Sequence, residues 1–301
     1  MIINSDCIIE PPKRRSFFLK IFRSILKKFF RFEWFIRANL NYYLRIFFKH
    51  NSFKLNKICI LLPSKSRPGK LDRLLNSLIE KTKHKNRIKI LVLLDEKENK
   101  KNEYEKIKKN YNSQELFVEY YFKDFESHSE RETYLVNMHP DEDLYFHSGD
   151  DSVFILKNWD TYLDFIESKT DRNIPYSIWT RSNVIHEKYH YLHSDFPIVN
   201  NLWIKKIGYF GARFKHNYTK INIPNFEDLW ICELGRLTKQ FIITKKFILD
   251  HVNAFFPGNS QEWDETAEIR KKDKKIDYFL VWKQTENYRK DDAKKLLNLE
   301  N

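Results

Sequence analysis

Uninterrupted apolar segments alternate with helix-like segments from residue 57 onward, and this alternation constrains the fold more than any other feature. The apolar segments cover residues 57–62, 88–94, 116–122 and 143–147. Segments that are apolar at nearly every position are typical of strands buried on both faces, as in parallel sheets covered by helices. The sequence therefore predicts an α/β domain built on a mostly parallel sheet that is flanked by helices.

Polar residues end three of these predicted strands. The clusters are PSKSR at 63–67, Asp95 with Glu96, and HSGDD at 147–151. In open parallel sheets, ligands bind beyond the carboxyl ends of the strands. We therefore expect the three clusters to converge at one edge of the sheet and to form the functional site.

Composition narrows the class of protein. The 301 residues are 42% hydrophobic and 16% aromatic, which is enough apolar side chain to bury a core. With six glycines, the chain contains neither a GxGxxG nor a Walker motif, so the usual dinucleotide and P-loop interpretations fail. Three cysteines, Cys7, Cys59 and Cys232, show no paired spacing, which favours a reducing, cytoplasmic compartment.

The basic charge is concentrated at the start of the chain. Residues 1–50 carry eleven Lys/Arg against three Asp/Glu, so they hold +8 of the total net charge of +13. Within 16–30 the aromatic and aliphatic side chains recur at helical spacing between basic residues. This pattern predicts an amphipathic helix at the surface of an anionic membrane, at its inner face. Packing on the α/β domain or on another subunit is the alternative, and nucleic acid is not expected because no binding module appears.

These patterns divide the chain into three parts. We predict a basic aromatic helical extension at 1–52, an α/β domain at 53–270, and a charged, peripheral C-terminal extension at 271–301.

Two adjacent carboxylates, Asp150 and Asp151, follow the fourth predicted strand, with Gly149 at the turn. Neighbouring carboxylates repel each other, so keeping both ionised favours a divalent cation. Mg²⁺ and Mn²⁺ sites of this kind are completed by substrate phosphates. Paired acids in a turn are common, however, so the pair alone is a weak signal.

The sequence context of this pair resembles a known family. The run 149–154, followed by Asn158-Trp159-Asp160, is similar to the metal-binding segment of GT-A glycosyltransferases, in particular the family two-like sugar transferases of prokaryotes and phages. The resemblance continues in order at 60–68, 93–95, 196–210, 226–236 and 250–264. It departs at Gly149, where the Asp-x-Asp motif of that family has its first acid. The resemblance implies a Rossmann-like GT-A fold and a nucleotide-sugar donor.

The resemblance also implies roles for individual residues. Asp151 would contact Mn²⁺ or Mg²⁺ directly, Asp150 would share the metal and ribose roles, and His251 would complete the shell. Residues expected around the donor nucleotide are Pro63, Ser64, Lys65, Arg67, Asp95, Arg131 and Asp150. The basic residues among them would offset donor phosphate charge.

An acceptor hydroxyl needs a general base as it attacks. The resemblance implies Asp228 as that base, with Glu227 in reserve, although both acids are also at a place where helix capping favours them. The resulting hypothesis is a metal-dependent, inverting transfer of sugar from a UDP- or GDP-sugar to a glycan or lipid-linked acceptor. The alternatives are a catalytically degenerate GT-A domain that binds glycans or acts as a scaffold, and a nucleotidyltransferase. The latter is disfavoured because only Gly69 follows the first strand, where a glycine-rich loop is usual.

Overall fold

The fold is described from a computed structural model for residues 54–125, 127–181, 194–213, 227–251 and 282–298. The predicted N-terminal extension and the predicted boundary at residue 270 lie outside these residues. The strands are β1 (Ile58–Pro63), β2 (Ile88–Leu94), β3 (Phe117–Phe122), β4 (Leu144–His147), β5 (Ser152–Phe154), β6 (Ser177–Arg181), β7 (Pro197–Asn200), β8 (Phe241–Phe247) and β9 (Leu249–His251). The helices are α1 (Pro68–Lys81), α2 (Lys101–Asn112), α3 (His128–Met138), α4 (Trp159–Glu167), α5 (Asn201–Ile207), α6 (Glu227–Thr238) and α7 (Glu286–Leu296).

Seven strands form the central sheet in the order β3-β2-β1-β4-β7-β6-β8. The pairs β3–β2, β2–β1, β1–β4 and β6–β8 are parallel, while β7 runs antiparallel to both β4 and β6. The predicted mostly parallel α/β sheet is therefore confirmed. The antiparallel strand was not predicted. A separate pair, β5 and β9, lies outside the sheet.

The central strand β1 shows why its sequence is apolar at every position. Ile58, Ile60 and Leu62 pack into the core on one face of the sheet, whereas Cys59 and Leu61 pack into the core on the other. All five side chains are fully buried. Because side chains alternate between the two faces of a strand, a strand covered on both sides has no place for a polar residue.

The C-terminal helix α7 belongs to the core rather than to the periphery where its charge pattern places it. Asp292 is fully buried on this helix and accepts hydrogen bonds from Arg213 Nε at 2.8 Å and from Trp230 Nε1 at 3.1 Å, and it also contacts the Tyr209 hydroxyl. The charged appearance of the segment comes from its exposed face, since Ala293 and Leu296 are buried with Asp292.

Among the described residues, no helix is both long and apolar enough to cross a membrane.

Candidate active site

The carboxyl ends of β1, β2 and β4 lie beside one another because these strands are parallel neighbours. Lys65, beyond β1, places its Nζ 2.9 Å from Oδ2 of Asp95, which follows β2. Arg131 on α3 places Nη2 3.4 Å from Oδ1 of the same carboxylate. Pro63 is the last residue of β1, and Ser64 continues towards β2 by donating its backbone N–H to Leu93. The structure thus brings the expected donor residues of β1, β2 and α3 together.

Asp150 joins this edge from the loop after β4. Its side chain is fully buried; Oδ2 accepts a hydrogen bond from Ser64 Oγ at 2.6 Å, and Oδ1 lies 2.8 Å from Nη2 of Arg67. The guanidinium approaches as an ion pair rather than as an aligned hydrogen bond. Burial raises the pKa of Asp150 to about 6, because it outweighs the opposing attraction of Arg67. Both carboxylate oxygens are therefore directed towards the β1 turn.

Asp151 faces a different partner. The antiparallel pairing of β5 with β9 sets Ser152 opposite His251, and this register places His251 Nε2 3.1 Å from Asp151 Oδ2. Burial lowers the pKa of His251, but the Asp151 carboxylate outweighs that effect and raises it. Both side chains remain partly exposed, at 34% and 23%. The pair is thus open to a ligand from solvent.

The Asp151–His251 pair fits a divalent cation only in part. Within the described ranges, no three His, Cys, Asp or Glu side chains are grouped to hold a metal. Mg²⁺, however, is usually bound by one or two carboxylates and takes its remaining ligands from substrate phosphates and water. A carboxylate beside an imidazole therefore matches the protein share of such a shell, which needs further ligands from a bound molecule and water.

Gly149 has a steric reason to be glycine. A Cβ built at this position would lie 2.7 Å from Oδ1 of Asp151 and 3.8 Å from the Phe196 ring. A side chain at residue 149 would therefore displace the Asp151 carboxylate from its present position. The Asp-x-Asp pattern would place an acid at residue 149, where the Asp151 carboxylate now packs against the backbone.

Helix α2, whose sequence is rich in lysine and asparagine, supports the β1 turn. Tyr104 is fully buried; its hydroxyl accepts from the Arg67 backbone N–H at 2.9 Å and is hydrogen-bonded to Ser64 Oγ at 3.1 Å. Ser66 has a positive φ of 53°, and Glu98 accepts its N–H at 2.7 Å. The sequence interpretation missed Tyr104 and Glu98 because lysines and asparagines surround them. The spacing of Tyr104, Ile107 and Tyr111 is the helical signal that marks the buried face.

A second cluster lies at the carboxyl end of β4 and involves the start of α6. His147 Nδ1 contacts Glu132 Oε1, and the Glu227 side chain packs within 3.0 Å of where a Cβ would stand at Gly211. Burial lowers the pKa of His147, but Glu132 outweighs this and raises it to about 9. Burial, followed by repulsion from Glu132, raises the pKa of Glu227 to about 8. Both shifts favour the protonated forms of His147 and Glu227 at neutral pH. The sequence interpretation did not identify His147 and Glu132.

Asp228, one residue later, is only partly buried, and its Oδ1 accepts the Leu229 N–H at 2.7 Å. The Phe196 ring contacts both parts of the site: it stacks on His147 with centroids 6.2 Å apart and meets His251 edge-on at 5.6 Å. One aromatic side chain thus packs against the His147 cluster and against the Asp151–His251 pair.

Comparisons with known proteins support the fold through structure alone. No protein-family profile matches the sequence, and the comparison with curated proteins finds no significant match. A mannosyltransferase, PcManGT from Pyrobaculum calidifontis in complex with GDP-Man and Mn²⁺, superposes with a TM-score of 0.50 at 9% identity, over 76% of this chain and 67% of its own. TarS residues 1–349 from S. aureus, in complex with UDP-GlcNAc, superposes with a TM-score of 0.49 at 13% identity, over 66% of this chain and 61% of its own.

The chain therefore shares the α/β fold of this mannosyltransferase, which confirms the fold that the resemblance implies. It spans less than two thirds of TarS 1–349.

Proposed function

We propose that this protein is a glycosyltransferase that uses a nucleotide-diphosphate sugar as donor. The observation that supports this function best is the convergence of Ser64, Arg67, Asp95, Asp150 and the Asp151–His251 pair at the carboxyl edge of one sheet. Open α/β sheets bind their ligands at this edge. The similar mannosyltransferase was solved with GDP-Man and Mn²⁺, and TarS was solved with UDP-GlcNAc.

The charged side chains at this edge support placing the donor there. Lys65 and Arg131 place two cationic side chains around Asp95, so the edge combines a carboxylate for the nucleoside with positive charge for the phosphates. Asp151 and His251 would hold Mn²⁺ or Mg²⁺, which when bound neutralises the charge that develops on the departing diphosphate. A UDP- or GDP-sugar fits this arrangement of groups.

The acceptor is assigned to the start of α6, with Asp228 as the general base of an inverting transfer. Glu227 is buried and protonated at neutral pH, so it is a poor proton acceptor. Asp228 is partly exposed on the same turn of helix and can meet an acceptor hydroxyl. The acceptor in this proposal is a glycan or a lipid-linked sugar.

The donor assignment is tested by isothermal titration with UDP, GDP and their sugars, each with and without Mn²⁺, followed by assays of sugar transfer. Asp151→Asn should lose Mn²⁺-dependent nucleotide binding and most activity, whereas Asp171→Asn, at an exposed position, should retain both. A folded protein that binds no nucleotide diphosphate with any divalent cation would overturn the proposal. If the original protein transferred no sugar and both it and Asp151→Asn bound the same glycan or protein partner, a degenerate glycan-binding or scaffold domain would be the better interpretation.

The acceptor assignment is tested separately. Asp228→Asn should reduce transfer by about 10²-fold or more while donor affinity is retained, because general-base catalysis contributes 10²–10⁴-fold. Loss of donor binding in this variant, or full activity, would contradict the assignment.

Location at the cytoplasmic face of a membrane is proposed from the sequence of residues 1–50, which lie outside the described part of the chain. The basic charge and the aromatic residues of this segment suit an interfacial helix on anionic lipid. Deleting residues 1–50 should release the protein from vesicles that contain phosphatidylserine. Unchanged sedimentation with such vesicles would refute membrane contact through this segment.

A further inference from the structure

Asp150 is neutralised by the protein itself. It is fully buried, and its two oxygens face Ser64 Oγ at 2.6 Å and Arg67 Nη2 at 2.8 Å. An uncompensated buried carboxylate is strongly unfavourable, and here it also adjoins a second carboxylate, Asp151. Arg67, whose side chain is only 16% exposed, provides the compensating charge. The carboxylate expected to share the metal thus already has a permanent cation.

The position of Arg67 is fixed by the fold. Its backbone N–H is held by the buried Tyr104 hydroxyl, and its carbonyl oxygen accepts the N–H groups of Lys70 and Leu71 in the first turn of α1. The preceding Ser66 is held by Glu98 and, through its carbonyl oxygen, by Lys100 Nζ at 3.1 Å. Contacts from two helices therefore place the Arg67 main chain beside Asp150, and the ion pair follows from that placement.

We infer that Arg67 is a built-in counter-cation for Asp150, which leaves the divalent cation, among the described residues, Asp151 and His251 as its protein ligands. Two protein ligands hold a divalent cation weakly, and a nearby guanidinium repels a second positive charge. Cation binding therefore depends on the phosphates of the donor. The metal and the nucleotide arrive together, and the protein alone retains little metal. This inference rests on the proposed function for the identity of that anionic partner.

The test measures Mn²⁺ binding to the full chain without nucleotide, from the electron paramagnetic resonance signal of free Mn²⁺. Asp150→Asn leaves the Arg67 charge unpaired and should weaken Mn²⁺ binding by no more than about threefold, whereas Asp151→Asn, which removes a ligand, should weaken it at least tenfold. Arg67→Gln should tighten Mn²⁺ binding roughly tenfold, and the double variant Arg67→Gln with Asp150→Asn should lose that gain. Arg172→Gln, which removes a cation that pairs with Glu167 on α4 instead, is the matched control and should change the constant less than about twofold.

Two results would overturn the inference. A tenfold loss of Mn²⁺ affinity, relative to the original protein, in the double variant Arg67→Gln with Asp150→Asn would show that Asp150 is a metal ligand in spite of Arg67. This double variant conserves the net charge and leaves no unpaired buried carboxylate, so it decides the matter even if Arg67→Gln fails to fold. A gain in Arg67→Gln that persists in the double variant would show a general effect of charge. Because these measurements use Mn²⁺ alone, they remain valid if the protein binds no nucleotide diphosphate, which would overturn only the proposed function.

Discussion

Gly149→Ala should leave the stability of this protein nearly unchanged but impair its ability to bind a cation with the donor. The new Cβ would lie 2.7 Å from Asp151 Oδ1, whereas ordinary van der Waals contact begins at 3.4 Å. The carboxylate must therefore move by roughly 0.7 Å, away from a position where it meets His251 at 3.1 Å. The atom that must move is the end of a side chain, so the backbone can stay in place.

The displacement of the Asp151 carboxylate should affect the free energy of unfolding little and the rate of transfer strongly. Replacing glycine by alanine stabilises by about 0.4–1 kcal/mol where the backbone permits it, which offsets the local contact, so the free energy of unfolding should change by less than about 1 kcal/mol. Misplacing a reacting group by about 1 Å can cost 10²-fold in rate, so a shift of roughly 0.7 Å should cost about 10- to 100-fold in Mn²⁺-dependent transfer. Gly149→Asp, which restores an Asp-x-Asp sequence, should impair the site in the same way.

The assay pairs thermal unfolding with the rate of Mn²⁺-dependent sugar transfer and with titration of UDP or GDP in the presence of Mn²⁺. Gly69→Ala is the matched control, because a Cβ at residue 69 meets nothing within 4 Å, and it should bind as the original protein does. If Gly149→Ala bound Mn²⁺ and nucleotide normally, the packing of Asp151 against residue 149 would be irrelevant to the site. A variant that failed to fold would show that the contact cannot be relieved by the side chain alone.

Two further predictions concern buried polar groups. The free energy of unfolding should fall by roughly 1–3 kcal/mol between pH 6.5 and 9. The folded state binds the protons of His147 and Glu227 more tightly than the unfolded chain does, because folding raises their pKa values to about 9 and about 8. Urea titrations across this range test it: Glu132→Gln should flatten the decline, and a pH-independent free energy would contradict it. Tyr104→Phe should weaken nucleotide binding about tenfold, because it removes the hydroxyl that holds Arg67 and Ser64. Tyr120→Phe is the control and should have no such effect, because the buried Tyr120 hydroxyl lacks a hydrogen-bond partner in the described part of the chain. Equal affinities of these two phenylalanine variants in a titration would contradict the role of Tyr104.

The parallel half of the sheet was predictable from sequence because its strands are buried on both faces. The predicted segments 88–94 and 143–147 correspond to β2 and β4 within a residue at each end, and the polar clusters beyond β1, β2 and β4 meet because parallel neighbours end at the same edge. The roles assigned to individual residues at this edge remain predictions.

Contacts between short elements were not predictable. The three-residue strands β5 and β9 carry no periodicity of their own, although their pairing is what brings His251 to Asp151. The buried side of α2 was obscured by the lysines of its exposed side. Periodicity describes one segment at a time, whereas these contacts depend on which segments become neighbours.

The buried contacts of Asp292 affect the order in which parts of the protein can fold during synthesis. Trp230, on the helix that carries Asp228, receives its buried carboxylate partner from a residue 62 positions later in the chain. Domains assemble from the N-terminal side as the ribosome extends them, so the β1–β4 edge has its strands available well before α6 can be fully enclosed. During synthesis a nascent chain would thus have the β1–β4 edge available while Trp230 still lacks its buried carboxylate partner, and α6 would reach its final packing only when α7 docks.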